Sequence, residues 1–198
     1  MDWKLIRIEK ETNHPFLNHF VFHYQVDKGG EVSEYPYYVA SRREVGDLQA
    51  ETRLHQADGV VVLALTEEED PSLLLIKVFR PALNEYVIEF PAGLVDKKDS
   101  SPLETAVRET EEETGFILKD AHLFCPPSPT SSGLSDELVA IVEGRVDAKA
   151  VASLEEYEDI EYRFVKLSEI KDYFASSGML VALNVRLIVE ALLEKYHG

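Results

Sequence analysis

The sequence predicts an α/β (α+β) fold, a mixed sheet covered by helices with a small antiparallel sheet ahead of it. Three observations carry that reading. Two continuous apolar runs, VVVLAL from Val60 to Leu65 and LLLIKVF from Leu73 to Phe79, have the texture of strands buried on both faces. A well-capped helix and two later helical stretches interleave with further strands. The first fifty residues are instead rich in strand formers broken by turn residues.

In chain order, Leu5 to Glu9, Phe20 to Val26 and Tyr37 to Arg42 are the expected strands of the first sheet. A His14-Pro15 turn separates the first two, and Gly29-Gly30 the second and third. Three strands cannot bury both faces alone, so this sheet is expected to pack on the main domain or on a second subunit. Val45 to His55 is polar and reads as the linker, giving a β-sheet subdomain over 1–52 and a main domain over 53–198. Glu67 to Ser72, acidic and carrying Pro71, is a hairpin loop. Tyr86 to Phe90 is another strand, broken by Pro91-Ala92-Gly93. The next helix has Ser101 as N-cap, Pro102 at its first position, Glu104 closing a capping box and Gly115 as its left-handed stop. Leu138 to Val146 and Ile160 to Val165 read as strands. Leu167 to Ser176 and Val181 to Lys195 read as helices, the last with an apolar stripe at 181, 185, 188, 189 and 192.

Twenty basic residues stand against 37 acidic ones, a formal net charge of −17. Such a surface repels phosphate backbones, which argues against nucleic-acid binding and anionic membrane docking. No apolar run approaches the roughly 18 residues of a membrane span, and the start MDWKLIRIEKE lacks the apolar core of a secretory signal. Cys125, the single cysteine, permits no internal disulfide and no cysteine-rich zinc site. The expectation is a cytoplasmic protein. An acidic protein can handle a phosphorylated small molecule only where arginines or a divalent metal shield the site.

The helix after Ser101 carries Arg108-Glu109-Thr110-Glu111-Glu112-Glu113-Thr114-Gly115-Phe116. At about 100° per residue, Glu109, Glu112 and Glu113 fall within roughly a 100° arc, with Glu111 pointing nearly the other way. These like charges repel, and they lie in the last turns, where the helix dipole disfavours negative charge. Three carboxylates on one face form a hard-oxygen site suited to Mg²⁺ or Mn²⁺; the plainer alternative is a solvated acidic face.

The run Gly93-Leu94-Val95-Asp96, the capped helix and Arg108-Glu109-x-x-Glu112-Glu113-x-Gly115-Phe116 resemble the Nudix box, GX5EX7REUXEEXGU with U a bulky aliphatic residue. Ala57-Asp58-Gly59-Val60, Arg80-Pro81, Glu89-Phe90-Pro91-Ala92-Gly93, Gly133-Leu134-Ser135-Asp136-Glu137 and Glu158-Asp159-Ile160-Glu161 resemble the ADP-ribose pyrophosphatase branch. The resemblance implies a Nudix α/β/α sandwich, with the N-terminal strands as a homodimerisation sheet. Three departures stand out. Fourteen residues separate Gly93 from Arg108 where the box has thirteen. Asp99 or Ser100 occupies the place of the first box glutamate, which in the family helps hold the helix arginine. Thr110 stands at the bulky aliphatic position, which suggests looser helix packing.

By resemblance the chain hydrolyses the pyrophosphate bond of a nucleoside diphosphate sugar, foremost ADP-ribose, to AMP and ribose 5-phosphate. Glu109, Glu112, Glu113 and the Ala92 carbonyl would hold Mg²⁺ or Mn²⁺, with Arg108 orienting the glutamates. Glu158 would be the general base on an acidic loop, with Glu156 as runner-up. Arg80 is placed to clamp the diphosphate and Glu89 to accept from a sugar hydroxyl. Arg42 or Arg43 would reach a phosphate, and Trp3, Tyr35, Tyr37 and Tyr38 are candidates to stack a base. Ser132 stands where the ADP-ribose subgroup has a proline, which leaves GDP-mannose or UDP-glucose open as substrates. A non-catalytic nucleotide sensor is the remaining alternative. His19 and His23 share a strand face without a third ligand, so packing outweighs a zinc role.

Overall fold

The computed structural model of the chain describes residues 1–148 and 160–197, and it divides into two compact units. The first unit comprises Met1–Asp58 and Pro127–Val139. Its strands β1 (Asp2–Lys10), β2 (Asn18–Asp27) and β3 (Val32–Ser41) form an antiparallel sheet with β2 central. The alternation of β2 sends Phe20, Phe22 and Val26 to one buried face, where Phe20 and Phe22 pack with Val39 and Leu48.

The segment expected to be only a linker instead contains a short helix, α1 (Gln49–Thr52). Leu48, just ahead of it, is wholly buried in this small core, and the Asp136 carboxylate accepts from the Gln49 N–H at 3.1 Å. Segment 127–139 joins this unit through the Leu134 carbonyl, which accepts from Ala40 N–H at 2.9 Å. The Gly133 carbonyl likewise accepts from the Tyr37 hydroxyl at 3.0 Å.

The second unit comprises Gly59–Pro126 and Ala140–Gly198. The remaining strands are β4 (Gly59–Leu65), β5 (Ser72–Arg80), β6 (Glu85–Glu89), β7 (Ala92–Leu94), β8 (Lys119–Pro129), β9 (Leu138–Arg145), β10 (Ile160–Lys166) and β11 (Leu180–Val181). Among the described residues they form one mixed sheet ordered β11-β6-β5-β4-β9-β8, with β10 added to β5 and β7 to β4. The helices are α2 (Pro102–Thr114), α3 (Ile170–Ser177) and α4 (Leu183–His197), with a 3₁₀ turn at Leu167–Glu169. Leu63, Leu65, Leu73, Leu75 and Ile88 pack with Ile170, Val185, Val189 and Leu192 in the main core. Each such burial contributes about 1.5–3 kcal/mol.

Two sequence expectations are corrected here. Pro91-Ala92-Gly93 does not end extended structure; the chain changes partner, from β5 along β6 to β4 along β7. Val181 belongs to β11, parallel to β6, so the last helix starts at Leu183. β8, at Lys119–Pro129, is a strand beyond those delineated from the sequence.

The caps of α2 form much as the sequence dictates. Ser101 accepts from Glu104 N–H, Pro102 opens the helix, and Gly115 closes it at φ 73°. The Glu104 carboxylate reaches back to Ser100 N–H at 2.7 Å, one residue before the usual capping-box partner. Thr110, where loose packing is expected, is wholly buried, and its hydroxyl donates to the Ala106 carbonyl at 2.6 Å. Past the cap, Phe116 packs edge-on against Tyr162 and Phe164 of β10, each at 5.1 Å.

Candidate active site

The site lies in the second unit, where α2 meets β7. Antiparallel pairing sets Val61 opposite Ala92 and Val60 opposite Gly93, fixing the backbone on which the helix rests. Glycine at 93 leaves room for the Glu109 carboxylate, which a Cβ there would overlap. One turn along, Glu113 Oε2 accepts from the Ala92 N–H at 3.0 Å. Two of the three carboxylates therefore bear directly on the Ala92-Gly93 bend.

Arg108 ties the site together. Its Nη1 donates to Glu109 Oε1 at 2.8 Å and to Glu112 Oε2 at 2.7 Å. Its Nη2 donates to Asp99 Oδ2 at 2.9 Å and to the Leu94 carbonyl at 3.1 Å, while Nε faces Asp99 Oδ1 at 3.5 Å. Of the two candidates for the missing box glutamate, Asp99 is the residue that holds the arginine; its carboxylate also accepts from the Thr105 hydroxyl and the Asp96 N–H. Hydrogen bonding from Arg108 outweighs burial and lowers the Asp99 pKa to about 2. The same pair, with lesser help from Glu112 and Glu109, raises that of Arg108.

The donor set suits a divalent cation: three carboxylates on one helix face beside a turning backbone are hard oxygen ligands. In this arrangement the Arg108 guanidinium bridges Glu109 and Glu112, and Glu113 is engaged with the backbone. Among the described residues no three His, Cys, Asp or Glu side chains are gathered at metal-ligand spacing.

Arg80 and Glu89, read separately from the sequence, form a bidentate ion pair: Nε and Nη2 reach the two Glu89 oxygens at 2.9 and 2.5 Å. Glu158 and Glu156 lie outside the described residues. Arg42 and Arg43 belong to the first unit. There Arg43 is nearly buried and pairs with Asp58 at 2.8 Å, and Arg42 Nε faces Glu137 at 3.4 Å. Burial raises the Asp58 pKa despite that arginine. Trp3 meets Tyr24 and Tyr35 edge-on, and Tyr38 stacks on His19. His19 Nδ1 lies 2.6 Å from Glu11, and His23 Nδ1 lies 2.8 Å from Glu34.

Sequence reasoning missed Thr105, the Leu94 carbonyl and the Asp96 N–H as supports of Arg108. Thr105 and Arg108 are i,i+3 neighbours on one helix face, a signal the sequence does offer.

A model of the NUDIX domain family matches residues 55–182. The chain is 33% identical over 146 residues to an ADP-ribose pyrophosphatase of Bacillus subtilis, covering 73% of this chain and 70% of that protein. It is 29% identical over 184 residues to an ADP-ribose pyrophosphatase of Saccharomyces cerevisiae, covering 86% and 75%. A crystal structure of an ADP compounds hydrolase superposes with a TM-score of 0.67 at 19% identity, covering 98% of this chain and 96% of that one, a likeness of fold.

Proposed function

This chain belongs to the Nudix hydrolase family, and on that premise we propose that it cleaves the pyrophosphate bond of a nucleoside diphosphate sugar. ADP-ribose is the foremost substrate, with AMP and ribose 5-phosphate as products. The observation that carries this reading is the array on α2: Glu109 and Glu113 bear on the Ala92-Gly93 bend, and Arg108 links Glu109 to Glu112. Relatives named as ADP-ribose pyrophosphatases at 33% and 29% identity support the substrate class.

In this reading Glu109, Glu112, Glu113 and the Ala92 carbonyl hold the divalent ion, Mg²⁺ or Mn²⁺. Such an ion neutralises phosphoryl charge and acidifies a bound water. Arg80 binds the diphosphate through its guanidinium, a planar donor matched to phosphate oxygens. Glu89 accepts from a sugar hydroxyl and fixes Arg80 by the bidentate pair. Glu158, or Glu156, takes the proton from the attacking water. The three-stranded sheet of the first unit, with Trp3, Ile6, Tyr35 and Tyr38 exposed, supports assembly as a homodimer, which light scattering on the purified chain would test.

Hydrolysis of ADP-ribose, GDP-mannose and UDP-glucose, each with Mg²⁺ and with Mn²⁺, tests the function. The expected result is the highest kcat/KM for ADP-ribose and no turnover in chelator. Ser132, in the place of the subgroup proline, favours the second reading, in which GDP-mannose or UDP-glucose turns over fastest. Tight nucleotide binding without metal-dependent turnover would instead make the protein a sensor.

A further inference from the structure

A single nitrogen of Arg108 bridges two of the carboxylates assigned to the divalent ion. Nη1 sits 2.8 Å from Glu109 Oε1 and 2.7 Å from Glu112 Oε2. At those distances it takes up lone pairs of both oxygens, and a dication seeking the same oxygens meets a like charge already in place. The opposite edge of the guanidinium is held elsewhere, by Asp99 and the Leu94 carbonyl. The two ends differ in burial. The Asp99 side chain is 7% exposed, whereas at the bridging end Glu109 is 14% and Glu112 48% exposed. The surface contact can therefore open while the buried anchor holds.

We infer that Arg108 is a resident cation, holding Glu109 and Glu112 together in the metal-free protein and giving up that bridge when a divalent ion loads. Asp99 keeps the guanidinium at the site, so the bridge re-forms when the ion leaves. The inference rests on the reading of Glu109 and Glu112 as metal ligands and adds to it a competition that sets the affinity of the site. It separates sharply from a purely supportive role. A support, when removed, would let the carboxylates splay and weaken metal binding. A competitor, when removed, leaves the carboxylates with more unbalanced negative charge and strengthens it.

The test is Mn²⁺ binding to the nucleotide-free protein, followed by loss of the free-ion electron paramagnetic resonance signal. Wild type, Arg108→Gln and Glu112→Gln are compared. Arg108→Gln is expected to bind Mn²⁺ roughly tenfold more tightly than wild type, the effect of removing one positive charge a few ångströms from a dication in a wet site. A Mg²⁺ titration of wild-type protein labelled with ¹⁵N-arginine gives a reading that does not depend on the variant folding. The Arg108 Nη resonances are expected to shift on loading while Nε stays. Equal or weaker Mn²⁺ binding by Arg108→Gln, or Nη resonances unmoved by saturating Mg²⁺, overturns the exchange and leaves the metal site standing. No Mn²⁺ binding by wild type, or binding that Glu112→Gln leaves unchanged, overturns the metal site and the exchange with it.

Discussion

Asp99 faces Arg108 with both carboxylate oxygens, Oδ2 at 2.9 Å from Nη2 and Oδ1 at 3.5 Å from Nε. A shorter acid than the glutamate of the Nudix box thus holds the helix arginine, from a loop that is one residue longer. The Asp96 N–H and the Thr105 hydroxyl bind the same carboxylate, so the loop before α2 closes on itself around this side chain. Asp99→Ala leaves a partly buried guanidinium without its carboxylate anchor and the Asp96 N–H without its acceptor, while the Thr105 hydroxyl keeps the Ser101 carbonyl. The expected cost is about 2 kcal/mol, in the range for removing one partner of a hydrogen-bonded ion pair. Urea unfolding measures it, and a loss within about 0.5 kcal/mol of zero would mean that solvent replaces the pair.

The same carboxylate gives a pH signature. Its pKa is about 2 in the folded chain against an ordinary 3.8. A lowered carboxyl pKa stabilises the fold wherever the group is charged in both states, and that contribution is lost as pH falls through the folded value. The stability gap between wild type and Asp99→Asn should stay constant from pH 7 to about 5. It should then close between about pH 4 and 2. Melting temperatures of the two proteins across that range check it; a gap that widens on acidification contradicts the assignment.

Gly93 offers a substitution that separates site from fold. The Cβ of Gly93→Ala would overlap the end of a glutamate side chain, which can move away. Glu109 would leave its seat on β7 while the strand pairing with β4 survives. Turnover is expected to fall at least about tenfold, since small displacements of a positioned group are costly in rate. The melting temperature should change by only a few degrees. A large loss of stability with unchanged turnover would show that the bend, and not Glu109, is what the glycine serves.

The Glu112 side chain is half exposed and pairs with Arg108. Glu112→Gln keeps the size and one acceptor oxygen but removes the charge. Turnover is expected to drop by at least about a hundredfold with an unchanged circular dichroism spectrum. Activity at the wild-type level would remove Glu112 from the site.

The α2 helix was legible because its signals are local: a serine cap, a proline at the first position and a glycine with positive φ are each set by neighbouring residues. β8 was hidden for the opposite reason. Pro126, Pro127 and Pro129 remove backbone donors and argue against a strand, yet among the described residues β8 lies at the end of the main strand path, an edge position where proline is tolerated. The Pro91-Ala92-Gly93 bend looked like an interruption because a change of strand partner has no local mark. Arg108 and the three glutamates could be read from spacing on one helix. The pairing of Arg80 with Glu89 could not, because it depends on how β5 and β6 lie side by side.

That last pairing predicts non-additivity. The β5–β6 register sets Arg80 opposite Glu85, and the guanidinium reaches along β6 to grip Glu89 through both oxygens. If Arg80 binds the diphosphate and Glu89 the sugar, each also holds the other in place. Removing either one then disturbs both contacts, and removing the second costs less than it would alone. Arg80→Ala and Glu89→Gln are each expected to raise KM more than they lower kcat, the mark of contacts made in ground state and transition state alike. The double variant should lose less than the product of the single losses, with a coupling of about 1 kcal/mol or more, roughly fivefold in kcat/KM. Full additivity would mean that the ion pair opens before substrate binds, leaving Arg80 and Glu89 to act on separate parts of the ligand.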